Sequence, residues 1–105
     1  MQAMKTLFHP QRQEIALSVV LAALSDPLRL EIVRHLARAG ETSCGHFGVN
    51  IPRSTLSYHL KTLREAGVVR TRIEGTQRHI SLRWDDLEAR FPGLLDAVLG
   101  AVAPL

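Results

Sequence analysis

At 105 residues the chain has room for one compact domain, since single domains most often run about 100–150 residues, and none for a two-domain enzyme. A hydrophobic share of 46% and a charged share of 22% are those of a globular protein, and a single cysteine, Cys44, excludes an intramolecular disulfide and any metal cluster built on several thiolates of one chain. No apolar run approaches the roughly 18–20 residues of a membrane span, and the start around Lys5, His9 and Arg12 lacks the apolar segment of a signal peptide, so a soluble protein of the reducing cytoplasm is expected.

The net charge of +3 is modest, but its distribution is uneven. Between Ile51 and Arg83 there are seven basic residues (Arg53, Lys61, Arg64, Arg70, Arg72, Arg78, Arg83) against two acidic ones (Glu65, Glu74), while the rest of the chain is net acidic. A basic half beside an acidic half suggests one face for a polyanion and another for something else.

In chain order, the first helix is expected from Pro10, a residue suited to the first helical position, to about Leu24. Its second half, Val19 to Leu24, is apolar almost all round, so it has two faces to hide, one in its own core and one against a second copy of the chain. Asp26 and Pro27 open a second helix as N-cap and first residue; Leu28, Ile32, Val33 and Leu36 line one face of it, and Gly40 ends it. From Glu41 to Asn50 the pattern is short, with space for a turn or two of helix around Cys44 to Phe47. Pro52 starts a third helix whose leucines at 56, 60 and 63 form its buried face and which stops at Gly67. Two β-prone runs, Val68 to Ile73 and Gln77 to Leu82, flank Glu74-Gly75-Thr76 as a hairpin. The last helical segment, Trp84 to about Val102, puts Leu87, Phe91, Leu94, Leu95, Val98 and Val102 on one face, and Phe91-Pro92-Gly93 should kink or split it.

Two helices, a third with a polar, basic outer face, and a basic hairpin make a helix-turn-helix followed by a wing. The fold expected is mainly α with a small β-hairpin: one winged helix-turn-helix domain over residues 1–105, dimeric through flanking helices at about 10–24 and 85–102. A single helix fits the major groove of duplex DNA, with its N-terminal side chains at base edges and flanking arginines on phosphates. Arg53, Ser54, Thr55, Ser57, Tyr58 and Lys61 are the candidate groove contacts, Arg72 and Arg78 the candidate wing contacts, and His59 points either to the core or to a phosphate. The candidate dimer contacts are Val19, Val20, Leu87, Phe91, Leu94, Leu95 and Val98.

Two segments carry a resemblance. Leu24-Ser25-Asp26-Pro27-Leu28-Arg29-Leu30-Glu31-Ile32 resembles the A-D-P-x-R-x-x-I opening of the ArsR/SmtB family of small winged-helix repressors. Ser54 to Val69, reading Ser-Thr-Leu-Ser-Tyr-His-Leu-Lys-Thr-Leu-Arg-Glu-Ala-Gly-Val-Val, resembles that family's S-x-x-S-x-H-L-x-x-L-x-x-A-G-L-V recognition helix and exit. The resemblance runs from about Leu24 to Arg83 and implies a homodimeric transcriptional repressor on a near-palindromic, double-stranded operator. Metal sensors of this kind often carry a C-x-C pair after the second helix, or Asp and His ligands in the last. Here the first region has one thiol, in Thr42-Ser43-Cys44-Gly45-His46-Phe47, and the last helix no histidine, so no metal or other cofactor is expected. Cys44 remains open between a packed structural residue, a redox-sensitive thiol and, with His46, half of a zinc site.

No phosphate-binding loop, H-E-x-x-H or nucleophile elbow is present, and Asp85-Asp86 diverge by about 100° on a helix, so the chain reads as a non-enzyme. The competing reading is a winged helix used as a protein–protein interaction module without operator binding.

Overall fold

Asp26 starts the second helix as its sequence demands. Its carboxylate accepts the backbone N–H groups of Leu28 and Arg29 at 2.8 and 3.1 Å, and these bonds hold its pKa below the ordinary carboxylate value, the Arg29 bond contributing most. The computed structural model describes residues 7–102, so the ends of the expected 1–105 domain and the side chain of Val102 lie outside the described residues. The elements are α1 (Leu17–Ala23), α2 (Pro27–Ala39), β1 (Thr42–Ser43), α3 (Arg53–Ala66), β2 (Val69–Glu74), β3 (Gln77–Leu82), α4 (Trp84–Arg90) and α5 (Leu94–Val102).

The first helix is shorter than its sequence suggests. Arg12–Glu14 form one 3-10 turn, Ile15 is extended at φ −71° and ψ 119°, and α1 begins only at Leu17. Ile15 explains the break. Its side chain is fully buried, packed where a Cβ on Gly67 would come within 2.7 Å of it, and its carbonyl accepts two N–H groups of Arg90 at 3.2 and 2.7 Å. A helix running through Ile15 would give that carbonyl to Val19, whose N–H bonds to Ala16 instead at 3.1 Å.

Gly40 and Gly67 end α2 and α3 with positive φ of 78° and 89°. The wing turns on Gly75-Thr76, with Glu74 paired to Gln77 and Gly75 at φ 62°, the first central position where a tight two-residue hairpin of type II′ needs positive φ. A third strand joins this hairpin: β1 pairs antiparallel with β3, Thr42 opposite Ile80 and Ser43 opposite His79, giving the order β1-β3-β2. The expected turn at Cys44 is a 3-10 turn over Cys44–His46. The last segment splits at Phe91-Pro92-Gly93, as its sequence indicates, into α4 and α5.

One core holds these parts together. Val20, Ile32, Val33, Leu36, Leu56, Leu60, Leu63, Val68, Val69, Ile80, Leu87 and Leu95 are all buried in it. The irregular residues 7–15 are strapped across α3, β2 and α4 by side-chain bonds to their backbone. Arg64 donates to the Phe8 carbonyl at 3.0 Å and Arg83 to that of Pro10 at 2.6 Å, while the Thr71 amide donates to Nε2 of His9 at 3.0 Å.

That last bond requires a neutral His9, with Nε2 as acceptor and Nδ1 bonded to the Leu7 carbonyl. Burial, followed by the charges of Arg64, Arg83 and Arg70, lowers the pKa of His9 below the ordinary imidazole value against the opposing pull of the Leu7 bond. The unfolded chain takes up this proton near pH 6.5, the folded one only at lower pH, so the strap is fully stable above about pH 6.5 and weakens as pH falls from there through the lowered folded value. Acidification from pH 7.5 to 5.5 is expected to lower the protection of the Thr71 amide against hydrogen exchange, once the intrinsic slowing of exchange at lower pH is divided out. A His9→Gln variant should lose that pH dependence, and an equal dependence in both proteins would disprove the role of His9.

Candidate nucleic-acid interface

The third helix has two unlike faces. Leu56, Leu60, Leu63 and Ala66 are buried, while Arg53, Ser54, Ser57, Tyr58 and Lys61 are exposed and Thr55 is half-buried at the border. The spacing of the leucines alone produces this, because residues i, i+4 and i+7 share one side of a 3.6-residue helix. The polar set is therefore held on a rigid element by the packing behind it. Tyr58 is the most exposed of the aromatics, at 62%, and its ring stands edge-on to that of His59, with 5.4 Å between centroids.

His59 itself is buried, at 9% exposure. Of the two directions open to it, the structure takes the core, and His59 is removed from the set of candidate DNA contacts. Arg29 donates through Nη1 to His59 Nδ1 at 3.0 Å and through Nε to the carbonyl of Ala23 at 2.5 Å, so one guanidinium joins the end of α1, the start of α2 and the middle of α3.

The seven basic residues between Ile51 and Arg83 separate into two groups once their partners are known. Arg64 and Arg83 are buried and hold the N-terminal strap, and Arg83 also pairs with Asp86 at 2.9 Å. Arg70 reaches Asp86 at 3.4 Å, and Arg72 is bonded to Glu41 at 2.9 Å and to Glu74 at 3.1 Å. Asp86, expected only as a helix-start acid, also accepts Arg12 at 2.7 Å, the largest cause of its lowered pKa. Arg53, Lys61 and Arg78 make no hydrogen bond or ion pair among the described residues.

These three line an open groove of about 590 Å³ between α3, the wing and the Cys44–His46 turn. Ser43, His46, Ser57, Arg64, Thr71, Thr76 and Gln77 complete its polar wall, and no carboxylate lines it. A concave, carboxylate-free surface with cations on both sides focuses positive potential toward its mouth. The two wing arginines do not share it. Alternation along the strands puts Thr71, Arg78 and Ile80 on the groove side, and Arg72, Glu74 and His79 on the other.

Cys44 lies at the edge of this groove, half-buried and unpaired with any other thiol. Burial raises its pKa above the ordinary thiol value, although the charges of Arg78 and Arg53 pull the other way. Beside it the Ser43 hydroxyl and His46 Nδ1 are hydrogen-bonded to each other. Among the described residues no three His, Cys, Asp or Glu side chains meet in an arrangement that could hold a metal ion.

The sequence is similar to those of known proteins. Residues 24–72, which hold α2, β1, α3 and the start of the wing, match the helix-turn-helix domain family. The HTH-type transcriptional regulator YceK of Bacillus subtilis is 45% identical over 82 residues, covering 75% of this chain and 82% of the relative. The arsenical resistance operon repressor of Staphylococcus xylosus is 37% identical over 75 residues, 69% of this chain and 70% of the relative. This chain belongs to the ArsR/SmtB family of helix-turn-helix transcriptional regulators. An HTH-type transcriptional regulator of Methanocaldococcus jannaschii is 37% identical over a shorter stretch, 54% of this chain and 66% of the relative. The ArsR/SmtB-type fold and its DNA-binding, regulatory function thus agree with the two motif segments around Asp26 and Ser57. No helix among the described residues is long and apolar enough to cross a membrane.

The raised thiol pKa gives a direct expectation. At pH 7.5 Cys44 should be alkylated by iodoacetamide more slowly than free cysteine, because less of it is thiolate. Replacing Arg78 by Ala should slow it further by removing a nearby positive charge. Faster labelling than free cysteine would mean that the two arginine charges outweigh burial.

Proposed function

We propose that this regulator is a homodimeric repressor without catalytic activity, working in the cytoplasm, and that it reads a near-palindromic operator with the first two turns of α3. The observation that carries this reading is the exposed Arg53, Ser54, Ser57, Tyr58 and Lys61 set on α3, of which Arg53, Ser57 and Lys61 line the carboxylate-free groove. Arg53 can make two hydrogen bonds to one guanine edge, a pairing that discriminates against other bases by about 1–3 kcal/mol. The hydroxyls of Ser54, Thr55 and Ser57 are small enough for close backbone approach, Tyr58 and Lys61 reach further, and Arg78 meets a phosphate from the wing.

Arg53→Ala and Tyr58→Ala should each weaken binding to a cognate duplex, selected from random sequence, more than to a scrambled one. Their melting temperatures should stay near the wild-type value, because neither side chain belongs to the leucine face. Equal losses on both duplexes would make these residues phosphate anchors, and no loss on either would remove α3 from the DNA.

A two-fold operator calls for two copies of the chain, and the apolar residues near both ends support self-association. The expected contact set changes in two respects. Val20, Leu87 and Leu95 are fully buried in the chain's own core and have no surface to offer a partner. Val19 is exposed, and Phe91, Leu94 and Val98 are half-buried. Leu17 and Leu21, one helical turn apart on α1 and 46% and 47% exposed, join them. Exposed leucines at that spacing are the unpartnered stripe of an amphipathic helix. The double variant Leu17→Glu/Leu21→Glu should sediment as a folded monomer at micromolar concentration and lose most of its operator affinity, since burying the new charges is costly. If it remained a dimer, α1 would not be the interface. A charge at Leu95 is no test of assembly, because it would disrupt the core.

A further inference from the structure

The wing carries two arginines on opposite faces, and their surroundings differ in kind. Arg78 faces the groove beside α3, and no carboxylate touches it among the described residues. Arg72 faces away, between the carboxylates of Glu41 and Glu74, with Glu41 accepting from both Nη2 and Nε at 2.9 and 3.4 Å. His79, opposite Arg72 in the strand register, lies 3.5 Å from Glu74. Glu41 immediately precedes β1, so the third strand delivers it to this face of the sheet. One positive charge thus stands against two negative ones around Arg72, while Arg70 on the same face is paired with Asp86.

We propose that Glu41 and Glu74 withhold Arg72 from the DNA backbone and so hold down the sequence-independent part of duplex binding, while Arg78 alone supplies the wing's phosphate contact. The inference rests on the DNA-binding reading above. Non-specific affinity for DNA comes almost wholly from phosphate neutralisation, whereas base-edge contacts add only on the cognate site. A cation withheld from the backbone lowers affinity for every duplex by about the same factor and leaves the base-edge contacts untouched, so the hold on DNA outside the operator is weakened while the preference among sequences is unchanged. Exposed ion pairs contribute little to stability, so the consequence of this clamp lies in where the charge is held. The Arg72 bond keeps the Glu41 carboxyl below the ordinary carboxylate range, and the clamp therefore stays charged at neutral pH.

The test compares salt dependence on two duplexes, a cognate one selected from random sequence and a scrambled one of equal length. Each phosphate contact contributes about 0.9 to the slope of log K against log salt. Arg78→Ala should make the slope shallower by about 0.9 per protomer, and Arg72→Ala should move it by much less. Glu41→Gln/Glu74→Gln frees Arg72, and should steepen the slope by about 0.9 per protomer and raise affinity for the scrambled duplex roughly tenfold. Because all four side chains are exposed, thermal melts should confirm that each variant is folded. The proposal is overturned if Arg72→Ala costs as much slope as Arg78→Ala, or if the double glutamine variant leaves both slope and scrambled affinity at wild-type values. A wild-type protein that binds neither duplex sinks the DNA-binding reading itself, and that result is visible before any variant is compared.

Discussion

The guanidinium of Arg29 is where three helices meet. Its Nε bonds to the last turn of α1 through the Ala23 carbonyl, its Nη1 reaches His59 on α3, and its own backbone N–H is capped by Asp26 at the start of α2. Each of these bonds is individually modest, about 1 kcal/mol or somewhat more when one partner is charged. Together they fix how α2 and α3 are set against each other, and with that the direction in which the exposed face of α3 points. The hydrophobic core supplies most of the stability but is less directional. Without a polar joint of defined geometry, the same leucines would tolerate a rotated α3, and the groove beside the wing would change shape.

A second set of arginines does comparable work on irregular backbone. Residues 7–15 are neither helix nor strand for most of their length, so their carbonyls need partners from elsewhere. Arg64, Arg83 and Arg90 supply them to Phe8, Pro10 and Ile15, and Asp86 collects the charges of Arg12, Arg70 and Arg83. These side chains are engaged by partners within the chain, Arg64 and Arg83 buried and Arg12, Arg70 and Arg90 at the surface. Of the basic residues between Ile51 and Arg83, those left without a partner among the described residues are Arg53, Lys61 and Arg78, and these are gathered around one groove. The surface a partner meets is set by what is left after the fold has taken its share.

The position of Cys44 follows from the same economy of elements. Two residues of β1 bring the chain to the edge of the hairpin, and the 3-10 turn after them places the thiol against α3. A single extra strand residue pair therefore connects the wing, the turn and the helix start into one wall. Its loss would detach Glu41 from the back of the wing and the turn from the groove at once.

The local elements were legible in the sequence wherever the signal was local. Asp26-Pro27 and Gly40 bound the second helix, the leucines at 56, 60 and 63 mark the buried face of the third, Gly75 marks the hairpin turn and Pro92-Gly93 the split of the last helix. The motif around Ser57 was enough to identify the family and the polar face of α3. Four things were decided only in three dimensions. The helix expected from Pro10 breaks at Ile15 because that carbonyl is claimed by Arg90, 75 positions away in the chain. The strand β1 is two residues long, too short for any alternation to register, and exists only because β3 offers it an edge. His59 and the arginines at 64, 72 and 83 look interchangeable with Lys61 and Arg78 in a one-dimensional count of charge, since periodicity reports which side of an element a residue occupies but not what it meets there. Val20, Leu87 and Leu95 were indistinguishable from interface residues for the same reason: apolar spacing shows that a face is buried, and only the packed chain shows whether it is buried against itself.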